Sequence, residues 1–192
     1  MLVESVGTSI VVGKLRGGSF SNIKDASLEK WYFFVSGFLV EFTTVFMASK
    51  GVNFFIENIL FIHCLSYLLL FTGIYFNRSI LAFRIVFIGI FLNFLVIMAN
   101  SGQMPVSGEA MVNIGLIDNM LEIRDGKIIT HTLMNSHTVF KYLGDIFVLG
   151  KPYPRPKIFS LGDVIMALGI FIYIQEIMIK KFKKEKTVQY ME

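Results

Sequence analysis

Residues 79–99 read SILAFRIVFIGIFLNFLVIMA, a run broken only by one charge, Arg84, and one amide, Asn93. At about 1.5 Å per helical residue, a run of this length crosses the ~30 Å hydrocarbon core of a bilayer. Three more stretches share its character: 31–49, 54–76 and 160–179. A composition 54% hydrophobic and a mean hydropathy of +0.64 agree with them. Soluble domains sit nearer 45–50% apolar. The reading is an all-α membrane protein, with residues 1–192 forming one membrane domain. Residues 2–13 leave a fifth span open. They reach only about 18 Å as a helix, and Ser5, Thr8 and Ser9 interrupt their apolar character. Without a basic leading region they do not read as a cleaved signal.

Charge orients the spans. Lys14, Arg16, Lys24 and Lys30 outnumber Asp25 and Glu29 in the connection 14–30. Arg78 sits in the connection 77–78, and Lys181, Lys183, Lys184 and Lys186 lie in the tail 180–192. Alternating spans put all three on one side, and positive residues favour the cytoplasm. The C-terminus is therefore expected inside, and the segment 100–159 outside as a cap. The net charge of +4 belongs to this pattern and does not point to nucleic acid.

A 60-residue connection without structure is uncommon, so 100–159 should fold on itself. Residues 110–121 suit a short interfacial helix. Asp125-Gly126, between the short β-prone runs of 121–130, predicts a β-hairpin. Residues 138–149 are amphipathic, and Pro152, Pro154 and Pro156 stiffen the return to the last span.

Depth along the spans then sorts the polar residues. Glu41 falls near mid-membrane, where an ionised carboxylate requires a cation or a proton; His63 is the partner expected for it. Asn93 lies outward of centre, and Glu57, Asn100 and Asp163 lie near the outer ends. With Asp145 above, these residues form a candidate polar site opening outward. A membrane lipid, a small hydrophobic ligand or a partner protein is its expected occupant, and helix-to-helix pairing in a structural subunit is the plainer reading of the same residues. No cofactor is expected. His131, His137 and Asp145 lack a metal-binding spacing, so no metal is expected either. Gly17-Gly18 lacks the spacing of a phosphate-binding loop. Cys64 is a single cysteine within an apolar run, which excludes an intrachain disulfide.

Several motifs stand in order: Gly13-Lys14-Leu15-Arg16-Gly17-Gly18, Asn100-Ser101-Gly102-Gln103-Met104-Pro105-Val106, Leu143-Gly144-Asp145 and Phe159-Ser160-Leu161-Gly162-Asp163. Together they resemble a bacterial multi-pass membrane family known as a domain of unknown function. The resemblance implies the cytoplasmic membrane of a prokaryote and brings no activity. The first helix is less apolar here than in that family. Asp145 and Asp163 also resemble the paired aspartates of lipoprotein signal peptidase, which implies an aspartyl hydrolase in which one carboxylate acts as base and the other as acid. This chain departs from that enzyme, with Ser160 and Gly162 where its motif carries Asn and Ala. Ser160 and Asp163 also suit an N-cap and the third helical position of the last span, a role that needs no catalysis.

Overall fold

The computed structural model describes residues 1–24 and 26–179; the lysine-bearing tail 180–192 lies outside the described residues. In chain order the elements are α1 (Leu2–Leu15), α2 (Ser21–Lys24), α3 (Tyr32–Ser49), α4 (Asn53–Glu57), α5 (Ile59–Phe76) and α6 (Leu81–Ala99). There follow β1 (Met104–Val106), α7 (Gly108–Asn113), α8 (Ile117–Arg124), β2 (His131–Leu133), a 3-10 turn (Lys141–Leu143), β3 (Phe147–Leu149), β4 (Lys157–Phe159) and α9 (Leu161–Ile179). The chain is mostly helical, and α3, α5, α6 and α9 are each long and apolar enough to cross a membrane. The expected span 54–76 is divided: it breaks at Asn58, whose side chain bonds the Phe54 carbonyl, so α4 stands apart from α5.

Backbones approach closely where side chains are small. The α6–α9 seam is antiparallel. A Cβ on Gly89 would stand 2.5 Å from the Gly162 carbonyl oxygen, and one on Gly169 would stand 2.9 Å from the Val86 nitrogen. With no hydrophobic drive between helices in lipid, such close packing supplies much of the association. The α1 helix runs parallel to α9 and seats Ser5, Ser9 and Gly13 against it. The Ser5 hydroxyl donates to the Ala167 carbonyl, and Gln175 Nε2 donates to the Ser9 carbonyl at 2.6 Å. On the opposite half of the bundle α3 packs along α5, where Gly37 lies against Leu70. The α5–α6 contact joins the halves, and among the described residues α3 makes no substantial packing contact with α9. A cleft is left between them.

The segment 100–159 has its own small core of Val106, Met111 and Ile123. Its 121–130 stretch corrects the expected hairpin. Residues 121–124 complete α8, and Gly126, at φ +73°, follows its end. Lys127 N donates to Glu122 O and Gly126 N to Ile123 O, the paired bonds of a Schellman cap. A left-handed glycine serves a hairpin turn or a helix end equally, and here the preceding residues propagate a helix. Antiparallel pairing occurs later, between β3 and β4, where the proline-bearing 150–156 connects the strands. The expected interfacial helix at 110–121 is also divided, with α7 and α8 turning at Gly115 (φ +79°). The amphipathic 138–149 forms the 3-10 turn and β3.

Candidate functional site

Glu41 lies halfway along α3 and His63 one turn into α5. Their helices are antiparallel, which brings the two to one level, and His63 Nδ1 lies 2.8 Å from Glu41 Oε1. A carboxylate only accepts, so Nδ1 carries the proton, and in the neutral ring Nε2 is left as an acceptor. That atom is buried without a hydrogen-bond partner among the described residues.

Asp163 is held by the start of its own helix and by α6. Ser160 Oγ accepts from Asp163 N at 3.0 Å, and Asp163 Oδ2 accepts from Ser160 N at 3.2 Å, a reciprocal capping box. Asn93 completes the group, donating to Asp163 Oδ1 at 3.0 Å and accepting from the Ser160 hydroxyl at 2.8 Å. The cap expected at Ser160 and Asp163 is therefore present, and α6 joins it.

Asp145 is positioned by backbone pairing. β1 pairs with β2 in parallel, with Met104 opposite His131. On the other side of β1, Asp145 N donates to the Pro105 carbonyl and Asp145 O accepts from Ser107 N. β1 thus stands between His131 and Asp145, and His131 Nε2 comes within 3.5 Å of Asp145 Oδ2. Thr130 Oγ1 occupies the other ring nitrogen at 2.9 Å. Asp145 Oδ1 is buried without a partner among the described residues. Burial pushes the Asp145 carboxyl above its ordinary value of 3.8, the adjacent His131 pulls it down, and the negative charge of Asp163 pushes it up again.

A raised pKa means that the folded chain holds the Asp145 proton more tightly than the unfolded chain. The stability this contributes is complete below the ordinary carboxylate value and is lost as pH rises through the raised one. Asp145→Asn removes that loss. The melting temperature of the variant relative to wild type should therefore climb between acidic and neutral pH. A gap that stays constant with pH would contradict the burial argument.

These residues face one cavity of about 690 Å³ between the α3–α5 and α6–α9 pairs. Glu41, His63, Asn93, His131, Asp145 and Asp163 gather at one end. Apolar side chains, among them Trp31, Val35, Phe38, Leu70, Ile90 and Ile170, line the remainder toward the opposite end of the helices. The structure does not bring the other two candidates there. Glu57 is exposed on α4. Asn100 bonds both the nitrogen and the carbonyl of Val139 at 3.0 Å, tying the 100–159 segment to the end of α6. His131 and Thr130 join the cavity through the β1–β2 register, which local sequence does not announce. Among the described residues no cluster of His, Cys, Asp and Glu suits a metal ion.

Four helices long and apolar enough to cross a membrane, around a cleft with one ionisable end, suggest the class of helical membrane proteins. The chain belongs to the family of unknown function DUF5317, whose model matches residues 25–175. That match covers the four long helices through Gln175 and leaves out α1. The chain is also similar to a Thermotoga maritima protein described as "Uncharacterized protein", 28% identical over 109 residues, which are 57% of this chain and 60% of that protein. The chain thus spans about 60% of the length of the curated relative it matches. No solved structure matches.

Proposed function

We propose that the protein binds a membrane amphiphile in the cleft, with the apolar chain of the ligand along the bundle and its polar head at the Glu41–His63–Asp145–Asp163 end. One observation carries the reading: a cavity of about 690 Å³ is apolar along most of its length and ionisable at one end. Such a volume is ordinary for a small-molecule site, at about 300–1,000 Å³. Because α3 and α9 leave their seam open, the ligand enters sideways from the hydrocarbon. The positive connections face the cytoplasm of a prokaryotic cell. The 100–159 segment then caps the outer face, and the ionisable end opens outward.

Native mass spectrometry of protein extracted in mild detergent tests this. Wild type should retain lipid-sized adducts that Val35→Trp, which fills the cleft, abolishes. Val45→Trp, on an exposed part of α3 outside the cavity, should keep them. Adducts equally present in all three proteins would defeat the proposal.

An aspartyl hydrolase is the second reading, favoured by Asp145 and Asp163 sharing one cavity and by the effect of Asp163 on the Asp145 proton. Against it, both Asp163 oxygens already accept bonds, from Asn93 and from Ser160 N. Cleavage of a lipid-modified signal peptide, lost in Asp163→Asn at unchanged abundance, would put the hydrolase first. Unchanged ligand retention with a lowered melting temperature would put binding first.

A further inference from the structure

Resting on the amphiphile-binding reading, we infer that the head group held at the polar end is a hydrogen-bond donor, an alcohol or a protonated amine, and that phosphate is rejected.

The groups left unsatisfied there are acceptors. His63 is 4% exposed; its Nδ1 is bonded to Glu41, and its Nε2, an acceptor in the neutral ring, has no partner among the described residues. Asp145 is 5% exposed; its Oδ2 faces His131, its backbone is consumed by β1, and Oδ1 has no partner among the described residues. Buried polar atoms are normally paired, and leaving one unpaired is costly. Both residues line the one cavity, so an occupant that reaches them is matched to these unpaired atoms.

Among the described residues the Asn93 and Ser160 donors at this end are spent, while the Tyr67 hydroxyl also lines the cavity and is a single donor beside three carboxylates. Asn93 Nδ2 is given to Asp163, the Ser160 hydroxyl to Asn93, and Thr130 Oγ1 meets His131 Nδ1. Among the described residues no lysine or arginine lines the cavity, while Glu41, Asp145 and Asp163 do. A phosphate brought here would meet three carboxylates in a medium of low dielectric, with no lysine or arginine among the described lining residues to offset its charge. A vicinal diol or an ammonium group offers at least two donors, matching His63 Nε2 and Asp145 Oδ1.

The test uses three C18 single-chain probes that share an oleyl or oleoyl tail and differ in the head: monoolein, oleylamine and oleoyl lysophosphatidate. Their affinities for the full-length protein in detergent are measured by titration with native mass spectrometry. Monoolein, oleylamine or both should bind about tenfold or more tighter than the lysophosphatidate, a difference of about 1.4 kcal/mol. Which of the two binds distinguishes an alcohol from an amine head. Asp145→Asn, which replaces the acceptor with an amide of equal size, should narrow the preference. His63→Phe should narrow it too, and Asp145→Asn alone decides if that variant fails to fold. Equal or tighter binding of the lysophosphatidate, with all binding abolished by Val35→Trp, would overturn the head-group inference and leave the cleft as a lipid site. Binding of all three probes indifferent to Val35→Trp would overturn both.

Discussion

Gly162→Val should unseat α9 and produce the largest loss of stability of any single substitution considered. A Cβ at this position would stand 2.1 Å from Asn93 Oδ1 and 2.6 Å from the Gly89 carbonyl oxygen. The Asn93 amide cannot retreat without abandoning Asp163 and Ser160, and Gly89 O is helix backbone. Overpacking a tight site costs about 1–3 kcal/mol and more where backbone must move. We expect about 3 kcal/mol, read as a sharp fall in detergent-solubilised melting temperature and in membrane abundance. Gly7→Val is the control, since a Cβ there meets nothing within 4 Å. A Gly162 variant as stable as wild type would mean that the α6–α9 seam is looser than the contacts require.

Asn93→Leu should cost nearly as much, for an electrostatic reason. Asn93 is 6% exposed and bridges two elements, donating to the Asp163 carboxylate and accepting from Ser160. Leucine has similar bulk but removes both bonds, so Asp163 loses a donor and the Ser160 hydroxyl loses its acceptor. An unsatisfied buried group costs about 1–3 kcal/mol, and more when it is charged. The expected loss is about 3 kcal/mol, measured by thermal or denaturant unfolding. Adding Asp163→Asn should recover part of it, because a neutral amide is easier to leave underbonded. A double variant less stable than Asn93→Leu alone would show that the Asp163 charge is held by something other than Asn93.

Hydropathy made the four long helices readable, since chain length and polarity together decide what crosses hydrocarbon. Counting residues from the span ends also put Glu41 near mid-membrane with His63 slightly outward of it, near enough in depth to name the pair that bonds in the structure. The reading failed where one local signal serves two structures. Asp125-Gly126 ends α8 instead of turning a hairpin, and Asn58 splits a run that hydropathy shows as continuous. Ser5 and Ser9 were visible, with Thr8, as interruptions of an apolar stretch; the structure adds Gly13 to Ser5 and Ser9. Their four-residue spacing is a small-residue face, and it is what lets α1 approach α9. His131 beside Asp145 depends on a parallel register between distant three-residue strands, which no local pattern encodes.

The seat of α1 on α9 has a consequence for biogenesis. Ser5 meets Ala167 across a sequence separation of 162 residues, so α1 is completed only once α9 has been made. At ~5–20 residues per second, α1 waits roughly ten to thirty seconds for its partner, while α3 and α5 are free to pair during synthesis. A nascent chain stalled before α9 exposes Ser5, Ser9 and Gly13 together with the Gly89 face of α6. That display of small and hydroxylated surface distinguishes an unfinished chain from a finished one.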